Sequence, residues 1–231
     1  VIDENGDMYW VIDAYTVSSS YPYSTYTEIE YNGQKRDINY IRNSIKVIIN
    51  SYTGEMKYYI TDRTDPIAMA YRKVYPKLFQ DLDSEISKTI QEQFIYPEFL
   101  YNVQSTMLEE YHNTKADVLY RSDNTWEKAT YKNSSQSTNT KNKNILKPYY
   151  TMVANAEGEE TIGLIQMYTP KNKQNISSYL IGTVENGQNK LTLKTLHSDT
   201  TILGPTQLDT QIAQDETIQS QIDDLSVTGA K

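Results

Sequence analysis

The hydrophobic period of this chain changes along its length, and that change limits the folds open to it. Between residues 66 and 112 the apolar side chains recur every three to four positions, as on the buried stripe of a helix. From residue 149 to residue 196 they alternate, as on half-buried strands. A polar stretch at 132–144, KNSSQSTNTKNKN, lies between the two regimes and reads as a low-complexity loop. The order is strands and helices, then a run of strands, then a helical tail. It predicts an α+β fold with antiparallel sheets, helices packed on one side and many hairpins. The expected organisation is a mixed region at 1–131, the loop at 132–144 and a strand-rich region with a C-terminal helix at 145–231. Together these make one compact domain.

Several elements carry specific signals. DMYWVIDAYTVS reads as an apolar, aromatic strand, followed by the Ser/Tyr/Pro loop SSSYPYSTY. DINYIRNSIK reads as a short helix capped by Asp37, because Ile41 and Ile45 are four apart. KVIINSYTGEMKYYITD reads as a hairpin turning at Thr53-Gly54. DPIAMAYRKVYPKLF reads as a helix with Asp65 at the N-cap, Pro66 at the first position and Pro76 ending it. SEISKTIQEQFI repeats Ile86, Ile90 and Phe94 at helical spacing. PEFLYNVQSTMLEEYH carries the stripe Phe99, Leu100, Val103, Met107, Leu108 and Tyr111. DVLYRSDNTWEKA reads as extended. YYTMVAN, TIGLIQMYT, SSYLIGTV and KLTLKTL are four strands, with a turn at 185–188, and the tail is helical with a break near Asp215.

Composition removes several function classes. A net charge of −8 and a pI near 4.9 oppose nucleic-acid binding, which needs a basic stripe, and oppose docking by charge on anionic lipid. With no cysteine there is no disulfide, thiol nucleophile or Cys-ligated zinc. DENGD places Asp3, Asn5 and Asp7 in alternation like a calcium loop. Its glycine is at the fourth position instead of the sixth, and Ala14 occupies the twelfth, so an exposed turn is expected. His112 at a helix end and His197 after a strand have no metal-binding spacing. No nucleophile elbow or phosphate-binding glycine loop is present. No catalytic residue, metal or cofactor is assigned.

The polar residues Asn39, Tyr40, Arg42 and Asn43 stand out between a loop and a hairpin. Two readings stay open. In one, Arg42 is a structural tie: the hairpin returns Asp62 and Asp65 towards it, and the planar guanidinium fork meets a carboxylate. In the other, the cluster is an anion or glycan pocket, with Tyr15, Tyr21 and Tyr23 as stacking partners. The 21 tyrosines, against 3 Phe and 2 Trp, suit half-buried positions and ligand-stacking surfaces equally.

The stretches YWVIDAYTVSSSYPYS, NYIRNSIKVIINSYTGEMKYYITDRTDPI, IYPEFLYNVQSTMLEEYH, KPYYTMV and GPTQLDTQIAQDETIQSQI occur in this order. Together they resemble uncharacterised protein family (UPF) 0182, over nearly the whole chain outside 132–144. The resemblance implies a multi-pass bacterial membrane protein with several N-terminal spans and a large soluble region outside the cytoplasm. The chain, starting at Val1 and stopping at VTGAK, reads as a central piece of that region. The resemblance carries over no activity, cofactor or catalytic residue. The implied partner is the protein's own membrane-spanning region, with a cell-envelope glycan or protein as further candidates. Three functions follow: a binding or assembly module, an envelope-carbohydrate-binding domain, or an extracellular hydrolase with two carboxylates roughly 5 to 10 Å apart.

Overall fold

The computed structural model describes residues 1–82, 86–122, 124–131, 144–155, 158–197 and 201–227. The first strand, β1 (Tyr9–Ser18), is rich in the β-branched and aromatic residues that favour a pleated surface. A bulge between Ala14 and Thr16 interrupts its register. β2 (Thr27–Tyr31) and β3 (Gln34–Ile38) form a separate hairpin. Asn32 and Gly33 close it with φ of 51° and 71°, the backbone a two-residue turn needs.

The segment expected to be a helix capped by Asp37 is instead the end of β3 and the start of β4 (Tyr40–Asn50). Buried residues fall on both faces of this strand: Asn43 on one, Ser44, Lys46 and Ile48 on the other. The more buried face carries the polar Ser44 and Lys46, while Ile45, Val47 and Ile49 lie on the other, so the sequence shows no hydrophobic alternation and Ile41, Ile45 and Ile48 imitate a helical stripe. β4 pairs antiparallel with β1 and with β5 (Met56–Ile60). Between β4 and β5, Asn50 Oδ1 accepts from the amides of Tyr52 and Thr53, and Gly54 takes a positive φ.

α1 (Pro66–Val74) begins at Asp65, whose side chain accepts from Ile67 N. It connects β5 to β6 (Phe79–Asp81), which pairs parallel with β5. The sheet is therefore mixed, in the order β1-β4-β5-β6. Arg72, in the last turn of α1, donates two hydrogen bonds to Asp81, of 2.6 and 2.9 Å. α2 (Lys88–Glu92) is shorter than its Ile86–Ile90–Phe94 repeat predicts, although Ile90 and Phe94 are buried. α3 (Glu98–Tyr111) matches expectation in extent. Its buried positions are Leu100, Tyr101 and Ser105, and Tyr111 of the expected stripe is exposed.

The segment read as extended after residue 116 contains α4 (Ala116–Arg121), ended by Ser122 in the left-handed conformation, and then β7 (Trp126–Lys128). The four alternating segments are β8 (Tyr149–Ala154), β9 (Glu160–Pro170), β10 (Ser178–Glu185) and β11 (Gln188–Thr195). They order as β11-β10-β9-β7, with β8 also on β9. Asn186-Gly187 turns β10 into β11. The tail is α5 (Pro205–Gln214) and α6 (Glu216–Val227). They break at Asp215, whose Oδ1 caps α6 through the amides of Thr217 and Ile218. The fold is α+β.

The chain divides into two compact units. The first is Val1–Gln104 with Met152–Gly163 and Gly182–Leu191, and the second is Ser105–Thr151 with Leu164–Ile181 and Thr192–Lys231. The core of the first unit gathers Ile48, Tyr59, Leu82, Ile90 and Phe94, with Val11 and Val184 packed against them. In the second, Trp126, Leu164, Tyr168 and Leu180 are buried, and Tyr168 OH donates to the Ser105 carbonyl at 2.9 Å. The polar stretch 132–144 lies outside the described residues except for Asn144, whose carbonyl accepts from Tyr131 N at 3.0 Å.

Candidate functional site

The polar cluster is built around Asp65, which is fully buried. Thr16 Oγ1 and Ser44 Oγ each donate to its Oδ2 at 2.5 Å. Tyr40 OH at 2.7 Å and Ile67 N at 2.9 Å donate to its Oδ1. One carboxylate thus joins β1, β4 and the N-terminus of α1. Burial acts to raise its pKa, but the bonds from Ser44, Thr16, Tyr40 and Ile67 outweigh burial and hold it below the ordinary value. The Tyr40 phenol is pushed up to about 12, by burial first and then by its bond to Asp65.

Arg42 lies along the same strand. Its Nη1 donates to Asp62 Oδ2 at 2.9 Å and to Thr64 Oγ1 at 2.8 Å. The contact uses one nitrogen, so it is not a two-pronged fork. The guanidinium carbon lies 5.7 Å from the centre of the Tyr40 ring, and the side chain is 41% exposed. Burial acts to raise the pKa of Asp62, but hydrogen bonds from Thr64 and Arg42 bring it below the ordinary value.

Asn39 is buried and brackets one residue of the preceding loop. Its Oδ1 accepts from Tyr21 N at 3.0 Å, and its Nδ2 donates to Tyr21 O at 2.7 Å. The Tyr21 ring stacks on Tyr40 at 5.3 Å. Tyr15 packs on Phe99 at 5.3 Å, and Tyr23 is wholly exposed. The three tyrosines named as stacking partners therefore have three different surroundings. DENGD forms an exposed turn in which Asp3 Oδ1 accepts from the amides of Asn5 and Asp7. His112 stacks on Trp126 with ring centres 3.6 Å apart, and its two ring nitrogens each lie 2.9 Å from a carbonyl oxygen, of Leu108 and Asn124. Among the described residues no group of three His, Asp or Glu is placed to hold a metal ion.

Asn43 points from the Asp65 hub to a second feature. Its Nδ2 donates to Ala14 O at 3.2 Å, and its Oδ1 accepts from Asn189 Nδ2 at 3.1 Å. Asn43 and Asn189, with Arg42, Asp62, Gln104 and Gln188, line a cavity of about 290 Å³ within the first unit. Gln104 comes from α3, and Gln188 and Asn189 from the start of β11. Sequence reasoning misses all three, because no local pattern links them to Arg42. It also misses Lys46, which is buried and donates to Asp13 at 2.5 Å with its ammonium 4.8 Å from the Phe94 ring centre. A lone lysine inside IKVII was the available signal, since a charge in an apolar run needs a partner.

These features define a mixed-sheet α+β module with a carboxylate-centred hydrogen-bond hub and a small cavity lined by amide side chains. The model of the uncharacterised protein family UPF0182 matches residues 1–225, and the chain belongs to that family. A UPF0182 protein of Clostridium acetobutylicum is 36% identical over 224 residues, covering 96% of this chain and 23% of that protein. One of Desulforamulus reducens is 36% identical over 225 residues, covering 96% and 23%. One of Synechocystis is 34% identical over 226 residues, covering 95% and 21%. The chain thus spans less than a quarter of the length of these relatives. No solved structure matches it.

Proposed function

We propose that this chain is a binding or assembly module of a longer, membrane-anchored protein. In this reading it stands outside the cytoplasm and docks on the rest of its own polypeptide. The observation that carries the reading is an apolar sheet face in the first unit. Across β1, β4 and β5, Trp10, Ile49 and Met56 form one row, and Ile12, Val47 and Tyr58 form the next. Trp10 is 68% exposed, Ile12 49% and Met56 54%. β1 is also an edge strand of its sheet. Apolar side chains grouped in register on an edge and its neighbours are a feature of surfaces that meet another surface.

The length of the relatives supports the choice of occupant, since more than three quarters of each lies beyond the part this chain matches. The family resemblance supports the membrane context. Among the described residues no helix is long and apolar enough to cross a membrane, so in this reading the spans belong to the rest of the protein.

The chain contains no cysteine, so single cysteines make clean reporters within it. Ile12→Cys is expected to react rapidly with a maleimide in the isolated chain and slowly in the full-length protein. Equal rates in both would remove the docking reading. Tyr23→Cys, on a wholly exposed residue, tests the location. A membrane-impermeant maleimide is expected to label it in intact cells, and labelling only after lysis would place it in the cytoplasm.

A further inference from the structure

We infer that the cavity beside Arg42 binds a neutral polyhydroxylated ligand of about one sugar ring. This goes beyond the assembly reading and does not depend on it. The cavity's volume, about 290 Å³, lies at the small end of the range for ligand pockets. Its lining combines hydrogen-bonding groups with an apolar wall from Tyr96 and Leu100, both buried. A sugar ring has the same two characters, hydroxyls at its edge and C–H groups on its faces.

The hydrogen bonds made within the protein fix what the amides can offer. Tyr96 OH donates to Gln104 Oε1 at 2.6 Å, which leaves the Gln104 NH₂ as a donor. Gln188 Nε2 donates to Thr61 O at 2.8 Å, which leaves Gln188 Oε1 as an acceptor. Asn189 Nδ2 is committed to Asn43 Oδ1. Asn189 Oδ1 is buried with no hydrogen-bond partner among the described residues. An acceptor in that state is costly, and a small turn of the Asn189 amide would bring it to the cavity, where a ligand hydroxyl can donate to it. Each hydroxyl both donates and accepts, so a mixed set of amide donors and acceptors suits a polyol.

An anion is a poorer match. Arg42 is the cation in the lining, and Asp62 already neutralises it at 2.9 Å. The frame is also preorganised. Arg42 and Asn43 sit on β4, Gln104 on α3, and Gln188 and Asn189 directly follow the Asn186-Gly187 turn. A side chain at Gly187, which has φ of +73°, would lie 2.9 Å from Leu82 Cδ2, so the turn is tightly packed. Sites on rigid elements hold their groups in place before the ligand arrives.

The test is a ¹H–¹⁵N NMR titration of the whole chain with glucose, galactose, mannose and N-acetylglucosamine, and separately with inorganic phosphate. At least one sugar is expected to shift the amide signals of Gly187, Gln188, Asn189 and Gln104 with millimolar affinity, while phosphate leaves them in place. Asn189→Ala and Gln188→Ala are each expected to weaken that sugar by roughly tenfold. Signal dispersion and melting temperature report whether each variant is folded, and the wild-type map stands without them. The inference fails if no sugar shifts these signals, if the shifts fall elsewhere, or if phosphate shifts them more than any sugar does. None of these results bears on Ile12→Cys protection, so the two readings fail separately.

Discussion

A carboxylate removed from water must be met by donors, and Asp65 is met by four: Thr16, Tyr40, Ser44 and Ile67 N. Asp65→Ala would leave three buried or half-buried hydroxyls without their acceptor and α1 without its cap. The expected loss is about 3–5 kcal/mol, read as a fall in the denaturation midpoint. Arg42→Ala breaks a half-exposed pair instead and should cost only about 1 kcal/mol. Equal losses for the two would show that the hub is not where the stability lies. The pH dependence follows from the direction of the shift. The folded pKa of Asp65 is lowered from its ordinary value of 3.8, so its stabilisation is fully present above that value. It is lost as pH falls through the folded pKa, and Asp65→Asn should flatten this acid limb of the melting curve. Sequence reasoning places Asp65 at an N-cap because the Asp-Pro pair is local. The Thr16 bond spans 49 residues, and no local pattern in the sequence announces it.

At the scale of elements, glycine shows how a local reading can be correct and still incomplete. SSYLIGTV is legible as a strand from its β-branched content, yet the role of Gly182 is not legible there. A side chain at Gly182 would lie 2.8 Å from Tyr101 Cδ2 and 3.0 Å from Tyr96 Cγ. Those two rings are buried and meet edge to face at 5.7 Å. Neither can retreat without disturbing the other. Gly182→Ala is therefore expected to destabilise by about 1–3 kcal/mol through overpacking. A chemical-denaturation midpoint equal to wild type would show that the rings yield freely. The same contrast runs through the rest of the chain. α1, the β8–β11 strands and the break at Asp215 are legible because caps, alternation and turn residues are local. The β2–β3 hairpin carries a strong local signal in its Asn32-Gly33 turn. β4 misleads because polar Ser44 and Lys46 occupy its more buried face and Ile45, Val47 and Ile49 the other, which erases the hydrophobic alternation. Of the cavity lining, Arg42, Asn43 and Asp62 lie on one hairpin and draw notice together. Gln104, Gln188 and Asn189 arrive through tertiary packing.

At the scale of the whole molecule, the division into units does not follow the order of the chain. The first unit takes Val1–Gln104 and then two later pieces, Met152–Gly163 and Gly182–Leu191. Those pieces supply parts that the earlier residues lack. Val184 packs against the Ile48–Tyr59–Phe94 core. Gly182 provides the surface against which Tyr96 and Tyr101 lie. Gln188 binds the Thr61 carbonyl, and Asn189 binds Asn43. A fragment ending at Gln104 retains the sheet of β1, β4, β5 and β6 but exposes both buried tyrosines and one side of its core. Burying each large side chain contributes about 1.5–3 kcal/mol, and a domain has only about 5–15 kcal/mol of net stability. Losing several such contacts at once is enough to cancel that margin. Residues 1–104 expressed alone are therefore expected to give a poorly dispersed NMR spectrum and no cooperative melt, while the whole chain gives both. A dispersed spectrum with a sharp melting transition from 1–104 would show that the later strands are not needed to complete this unit.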